Sequence, residues 1–120
     1  MNDYFFDSYA LIEILNGSDN YKAYLSSNFI ITKLNLFEVY YKLLQTSQKK
    51  ADSFLQLYLL NLVDFDETTI AEACKFKLAN KKKNLSMTDC IGYIISLRTG
   101  LKFLTGDIQF KDQPNVEFVR

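Results

Sequence analysis

The sequence predicts a three-layer α/β/α sandwich on a mainly parallel central sheet, and two patterns carry that expectation. Short apolar runs of strand type alternate with stretches of helical period along the whole chain. The last helical stretch ends on Gly100 and passes directly into Leu101-Lys102-Phe103-Leu104, a helix-to-strand step that lays parallel strands side by side. In such a sheet the N-termini of helices and the C-termini of strands share one edge, which is where open α/β sheets bind ligands.

Taken in order, Tyr4-Phe5-Phe6 is the first apolar run and ends at Asp7. From Ser8 the chain turns helical, with Leu11, Ile12 and Leu15 spaced for one face and Asn16-Gly17 as the stop. The segment Ser18 to Ser27, with Tyr21, Tyr24 and Leu25, predicts a second short helix. Phe29-Ile30-Ile31-Thr32 is apolar and β-branched, as a buried parallel strand requires. Leu36, Val39, Tyr40, Leu43 and Leu44 recur at helical spacing, and Asn35 followed three residues later by Glu38 resembles a capping box, which puts Glu38 in a first turn. Ser47 to Asn61 continues with Phe54, Leu55, Tyr58 and Leu59 as its apolar stripe, and Leu62-Val63-Asp64-Phe65 reads as a third strand.

Asp66 then caps a helix running to about Asn80, with Ile70, Cys74 and Leu78 expected to face inward. The basic run Lys81-Lys82-Lys83 leads to Ser86, which stands three residues before Asp89 as the cap of the helix that Gly100 closes. After the Leu101–Leu104 strand, Thr105-Gly106-Asp107 turns sharply, and Val116-Glu117-Phe118-Val119 is expected as an edge strand.

With 120 residues, 48% hydrophobic composition, one proline and four glycines, the chain is expected to form one domain over 1–120, burying roughly two-thirds of its unfolded surface. The opening Met1-Asn2-Asp3-Tyr4-Phe5-Phe6-Asp7 is acidic and too short for the apolar region of a signal peptide, and no apolar run approaches a membrane span, so a cytoplasmic protein with no membrane contact is expected. Cys74 and Cys90 are too few for a disulfide framework or a four-thiolate zinc site, and both read as small buried residues. The absence of histidine excludes Ser-His-Asp and Cys-His nucleophiles and histidine-based zinc helices, which leaves carboxylates as agents of any chemistry. Fourteen basic and fourteen acidic residues cancel, so nucleic acid could be held only by a local patch such as Lys81, Lys82 and Lys83, a run that equally suits a solvated loop.

Asp7, Glu38, Asp89 and Asp107 all fall at a strand end or in the first turn of a helix on the same sheet edge. Two have an ordinary structural role open to them: Asp7 as a helix cap and Glu38 in its box. Together, four carboxylates repel one another and call for a cation, and an all-oxygen donor set suits Mg2+ or Mn2+. An ion so held activates water and stabilises charge on a phosphodiester. The implied reaction is metal-dependent hydrolysis.

The same residues carry a family resemblance. Tyr4-Phe5-Phe6-Asp7-Ser8-Tyr9-Ala10-Leu11-Ile12 resembles the opening strand and D-[ST]-x-A-L motif of PIN-domain nucleases, and Thr32-Lys33-Leu34-Asn35-Leu36-Phe37-Glu38-Val39 resembles their glutamate-bearing motif. Ser86-Met87-Thr88-Asp89 and Leu104-Thr105-Gly106-Asp107-Ile108-Gln109-Phe110 are similar to the third and fourth motifs. The resemblance implies that Asp7, Glu38, Asp89 and Asp107 bind metal and catalyse, with Ser8 and Thr105 as supporting hydroxyls and Asn35 orienting Glu38. A small PIN protein resembles the VapC-type ribonuclease toxins of toxin-antitoxin pairs, which implies an RNA substrate, a homodimer and an antitoxin partner. At Gln109 the sequence departs from the pattern, since many relatives carry a further aspartate there, and one or two metal ions remain open.

The rival expectation is a PIN-like binding or scaffold module that keeps its acidic edge without useful catalysis and works by dimerising or docking a partner. A phosphoaccepting receiver domain also gathers aspartates at strand ends, but it needs a lysine just after a late strand, where this chain has Thr105-Gly106-Asp107.

Overall fold

The computed structural model describes residues 2–120. Its strands are β1 (Tyr4–Phe6), β2 (Phe29–Ile30), β3 (Lys102–Thr105) and β4 (Val116–Phe118), hydrogen-bonded in the order β2-β1-β3-β4, and every pair is parallel. Its helices are α1 (Ser8–Leu15), α2 (Lys33–Leu44), α3 (Gln48–Leu57), α4 (Glu67–Ala79) and α5 (Met87–Thr99).

Strand alternation sorts the apolar residues into two cores. Phe5, Ile30 and Phe103 face one side, where they meet Ala73 of α4 and Cys90, Ile91, Tyr93, Ile94 and Ile95 of α5. Phe6, Ile31 and Leu104 face the other side, against Ala10 and Leu11 of α1, Leu36 and Val39 of α2, and Phe54 of α3. The result is the three-layer α/β/α sandwich that the alternation predicts. A Cβ on Gly92 would come within 2.5 Å of the Phe5 ring, so glycine at this position lets α5 lie close against β1.

The caps explain most boundaries. Asp66 accepts the Thr69 N–H at 3.0 Å at the start of α4, and Ser86 and Asp89 form a reciprocal capping box on α5, which Gly100 closes at φ +71°. The short helix expected in Ser18–Ser27 is a 3₁₀ helix over Asp19–Tyr24. Three expectations need correction. Leu62–Phe65 adds no strand: it makes a single parallel bridge, Ile31 to Leu62, before Asp66 starts α4. The inward face of α4 is Thr69 and Ala73, with the Phe76 ring packed on Tyr93 of α5 at 4.9 Å between centroids, and this turns Ile70, Cys74 and Leu78 outward to exposed positions. The capping box of α2 is Thr32 with Asn35, which moves Glu38 into the second turn.

Candidate functional site

The parallel sheet brings the C-termini of β1 and β3 together, and the chain leaves both there. Asp7 follows β1 directly and is the N-cap of α1. It is 2% exposed, its Oδ1 accepts the Ser8 N–H at 2.9 Å, and its Oδ2 accepts the Thr105 hydroxyl at 2.7 Å. Thr105, fully buried at the end of β3, also accepts the Asp107 N–H at 3.0 Å. One hydroxyl thus ties Asp7 to the turn that carries Asp107, whose Oδ1 accepts the Gln109 N–H at 2.9 Å. Gly106 makes that turn possible, since a Cβ would stand 2.3 Å from the Tyr9 ring and 2.4 Å from the Val119 carbonyl.

Glu38 is held by a second chain of hydrogen bonds. The Asn35 Oδ1 accepts both the N–H and the hydroxyl of Thr32 at 3.0 Å, so its amide nitrogen must point the other way, where it donates to Ser8 Oγ at 3.0 Å. With that lone pair used, the Ser8 hydroxyl donates to Glu38 Oε1 at 2.7 Å. Asn35 is thus linked to Glu38 through the Ser8 hydroxyl. Asp89, at the third position of α5, accepts the Ser86 N–H at 3.0 Å through Oδ2.

Asp7, Glu38, Asp89 and Asp107 line one cleft of about 440 Å³ between α1, α2, the start of α5 and the end of β3. Their electrostatics reflect the crowding. Burial, then the charge of Asp89 and more weakly that of Glu38, pushes the Asp7 carboxyl well above the ordinary carboxylate range, against the hydrogen bonds from Thr105 and Ser8. Asp89 is raised as well, by burial and by Glu38 and Asp107, against the hydrogen bonds from Ser86. None of the four is in an ion pair among the described residues, whose pairs are Lys22–Asp19, Arg98–Asp66 and Arg98–Glu72, although Lys42 lines the same cleft. An all-oxygen acid set has the chemistry to take a hard divalent cation. As the side chains stand, no group of three or more of them among the described residues is set to hold a metal ion, each carboxylate being engaged by its own local donor.

Three lysines stand apart. Lys81, Lys82 and Lys83 line a separate depression with Leu78, Ala79 and Asn80, and Lys83 donates to the Gln109 carbonyl at 3.2 Å. Conversely, the cleft contains residues that the pattern did not single out: Tyr9, Ile12 and Glu13 from α1 and Phe37, Tyr41 and Lys42 from α2. For those on α2 the signal in the sequence was the spacing around Glu38, since Phe37 and Tyr41 share a face one turn apart, as do Glu38 and Lys42.

A parallel sheet with four acids at the C-terminal ends of its strands and on the helices that leave them is the arrangement of PIN domains. The PIN domain family model matches residues 4–115, and the chain belongs to that family. No curated protein matches the chain. Among solved structures, VapC20 of Mycobacterium tuberculosis, a Sarcin-Ricin loop cleaving toxin, superposes with a TM-score of 0.82 at 14% identity, covering 98% of this chain and 100% of that one. A toxin-antitoxin complex from Klebsiella pneumoniae gives 0.77 at 18% identity with 96% of both chains covered. VapBC2 from Rickettsia felis, bound to a DNA fragment from its promoter, gives 0.73 at 19% identity with 98% of both covered. The resemblance to VapC-type proteins carried by the motifs thus holds for the fold.

Proposed function

We propose that this chain is a metal-dependent endoribonuclease that hydrolyses RNA phosphodiester bonds with water, and that it is the toxin of a toxin-antitoxin pair. The observation that carries the reading is the convergence of Asp7, Glu38, Asp89 and Asp107 on one cleft, none of them in an ion pair among the described residues. These four acids would hold Mg2+ or Mn2+, which when bound supplies a polarised water and offsets the charge that develops on the phosphodiester. The rest is done by the chain. Ser8, backed by Asn35, keeps Glu38 turned into the cleft; Thr105 keeps Asp7 in place and ties it to Asp107; the α5 capping box sets Asp89. Lys81 and Lys82 would meet outlying phosphates as point charges. An antitoxin partner, a homodimer and a cytoplasmic location belong to the same reading; among the described residues no helix is long and apolar enough to cross a membrane.

The test is cleavage of a mixed structured RNA pool by purified protein in Mg2+, Mn2+ or chelator, beside Asp89→Asn. Metal-dependent cutting that vanishes in the variant supports the reading. A binding module without useful catalysis is the second reading, favoured by side chains that as they stand do not form a three-acid ion site. Wild-type protein that is folded, free of inhibitor and silent on every RNA would move that reading ahead.

A further inference from the structure

The wall of the acid cleft carries two aromatic rings in water. Phe37 and Tyr41 are 75% and 59% exposed, one helical turn apart on α2, and both line the cleft with Glu38. At about 100° per residue the two rings lie on one row of the helix, about 40° apart, and Glu38 and Lys42 form the next row round. Lys42 lines the same cleft and forms no ion pair among the described residues, although Glu38 stands one turn before it and Glu13 faces the cleft from α1. The Ser8 hydroxyl holds Glu38 instead. The cleft therefore presents a free cation and two ring faces beside a cluster of carboxylates.

We propose that Phe37, Tyr41 and Lys42 form a nucleotide subsite, in which one unpaired base stacks on the ring pair and a neighbouring phosphate meets Lys42, so that the next phosphodiester is directed at the acids. The proposal rests on the ribonuclease reading and adds to it the residues that select the substrate. Every base offers a π-face, so stacking on Phe37 and Tyr41 is tolerant of sequence, but a base inside a duplex has both faces taken. Lysine meets phosphate as a point charge with no demand on geometry. A protein segment could cover the rings, but an apolar one would leave Lys42 without an anion; the pairing of ring faces with a free cation is complementary to a nucleotide.

The chain contains no tryptophan, so Tyr41→Trp adds a single fluorescent reporter that keeps a stacking face. The probe is a mixed-sequence oligoribonucleotide of about eight nucleotides, alone and annealed to its complement, titrated in Mg2+ against the Asp89→Asn background to suppress cutting. The single strand is expected to quench the indole and the duplex to do so at least about tenfold more weakly. Phe37→Ala is expected to lower affinity for the single strand about 5- to 100-fold and Phe37→Tyr to retain it. Lys42→Gln is expected to reduce the slope of log K against log salt by about one. Equal quenching by duplex, or affinity unchanged in Phe37→Ala, overturns the subsite. Two further results separate it from the reading it rests on. Stacking on the Tyr41→Trp reporter, beside a wild-type chain that cuts no RNA, keeps the subsite and sinks the ribonuclease. Cutting and binding undiminished in Phe37→Ala and Tyr41→Ala keeps the ribonuclease, sinks the subsite and assigns the rings to a protein partner.

Discussion

Thr105 and Asp7 are 98 residues apart in sequence, and the hydroxyl of one donates to the carboxylate of the other at 2.7 Å with both side chains buried. The same oxygen accepts the Asp107 N–H, so a single side chain sets the spacing of two acids.

Thr105→Val keeps the shape and removes the hydroxyl. It leaves a buried carboxylate oxygen and a backbone N–H short of a partner, and is expected to cost about 1–3 kcal/mol in urea unfolding, with Thr105→Ser recovering most of it. A valine variant as stable as wild type would show that the hydroxyl is replaceable.

The acid cluster makes metal-free stability depend on pH, with a definite sign. The raised pKa of Asp7 and of Asp89 means that the folded chain binds more protons than the unfolded one. Their contribution is fully present below the ordinary aspartate value of about 4 and is lost as pH rises through the raised folded values. Asp66, pulled down to about 2 by its helix-cap hydrogen bonds, acts in the opposite sense and only below that window. In chelator the Tm is expected to fall as pH is raised from about 4 to 7, Asp7→Asn to flatten that fall, and Mg2+ to restore the loss. A Tm that climbs over the same interval refutes it.

Ser8 and Asn35 act as a unit on Glu38. Ser8→Ala frees the glutamate and strands the buried Asn35 amide; Asn35→Ala leaves the Ser8 hydroxyl without the donor that directs it. Each is expected to lower RNA cleavage about tenfold or more, and a double-mutant cycle on stability to give a coupling of about 0.5–3 kcal/mol. Strict additivity would mean that the two hydrogen bonds are independent.

Gly106→Ala drives a methyl into the Tyr9 ring and the Val119 carbonyl, and backbone cannot swing aside as a flexible side chain can. A cost of about 1–3 kcal/mol by thermal unfolding is expected, together with displacement of Asp107. A neutral variant would show that β4 yields freely.

The thiols should titrate separately. Cys74 is exposed, whereas Cys90 is buried with its thiol pushed up to about 11, chiefly by burial and then by the charge of Asp89. Folded protein is expected to release one equivalent with a disulfide reagent at neutral pH and two in denaturant. Rapid release of two from folded protein would place Cys90 within reach of solvent.

The sequence by itself determined what depends on near neighbours. Apolar period separated strand from helix at Tyr4–Phe6 and around Gly100, the Ser86 and Asp66 caps were legible three residues ahead, and the motifs singled out four acids, of which Asp7, Asp89 and Asp107 stand at the ends of elements. These are features of local backbone geometry, written within one or two turns of chain. Only the tertiary structure decided which hydroxyl holds which acid: Thr105 for Asp7, and Ser8 for Glu38 with Asn35 behind it. It also turned Cys74, Ile70 and Leu78 outward, reduced Leu62–Phe65 to one bridge, and left Phe37 and Tyr41 bare beside the acids. Those outcomes hang on contacts between residues far apart in the chain, where the packing of α4 on α5 and the meeting of β1 with β3 set what fits. No local period records such distances.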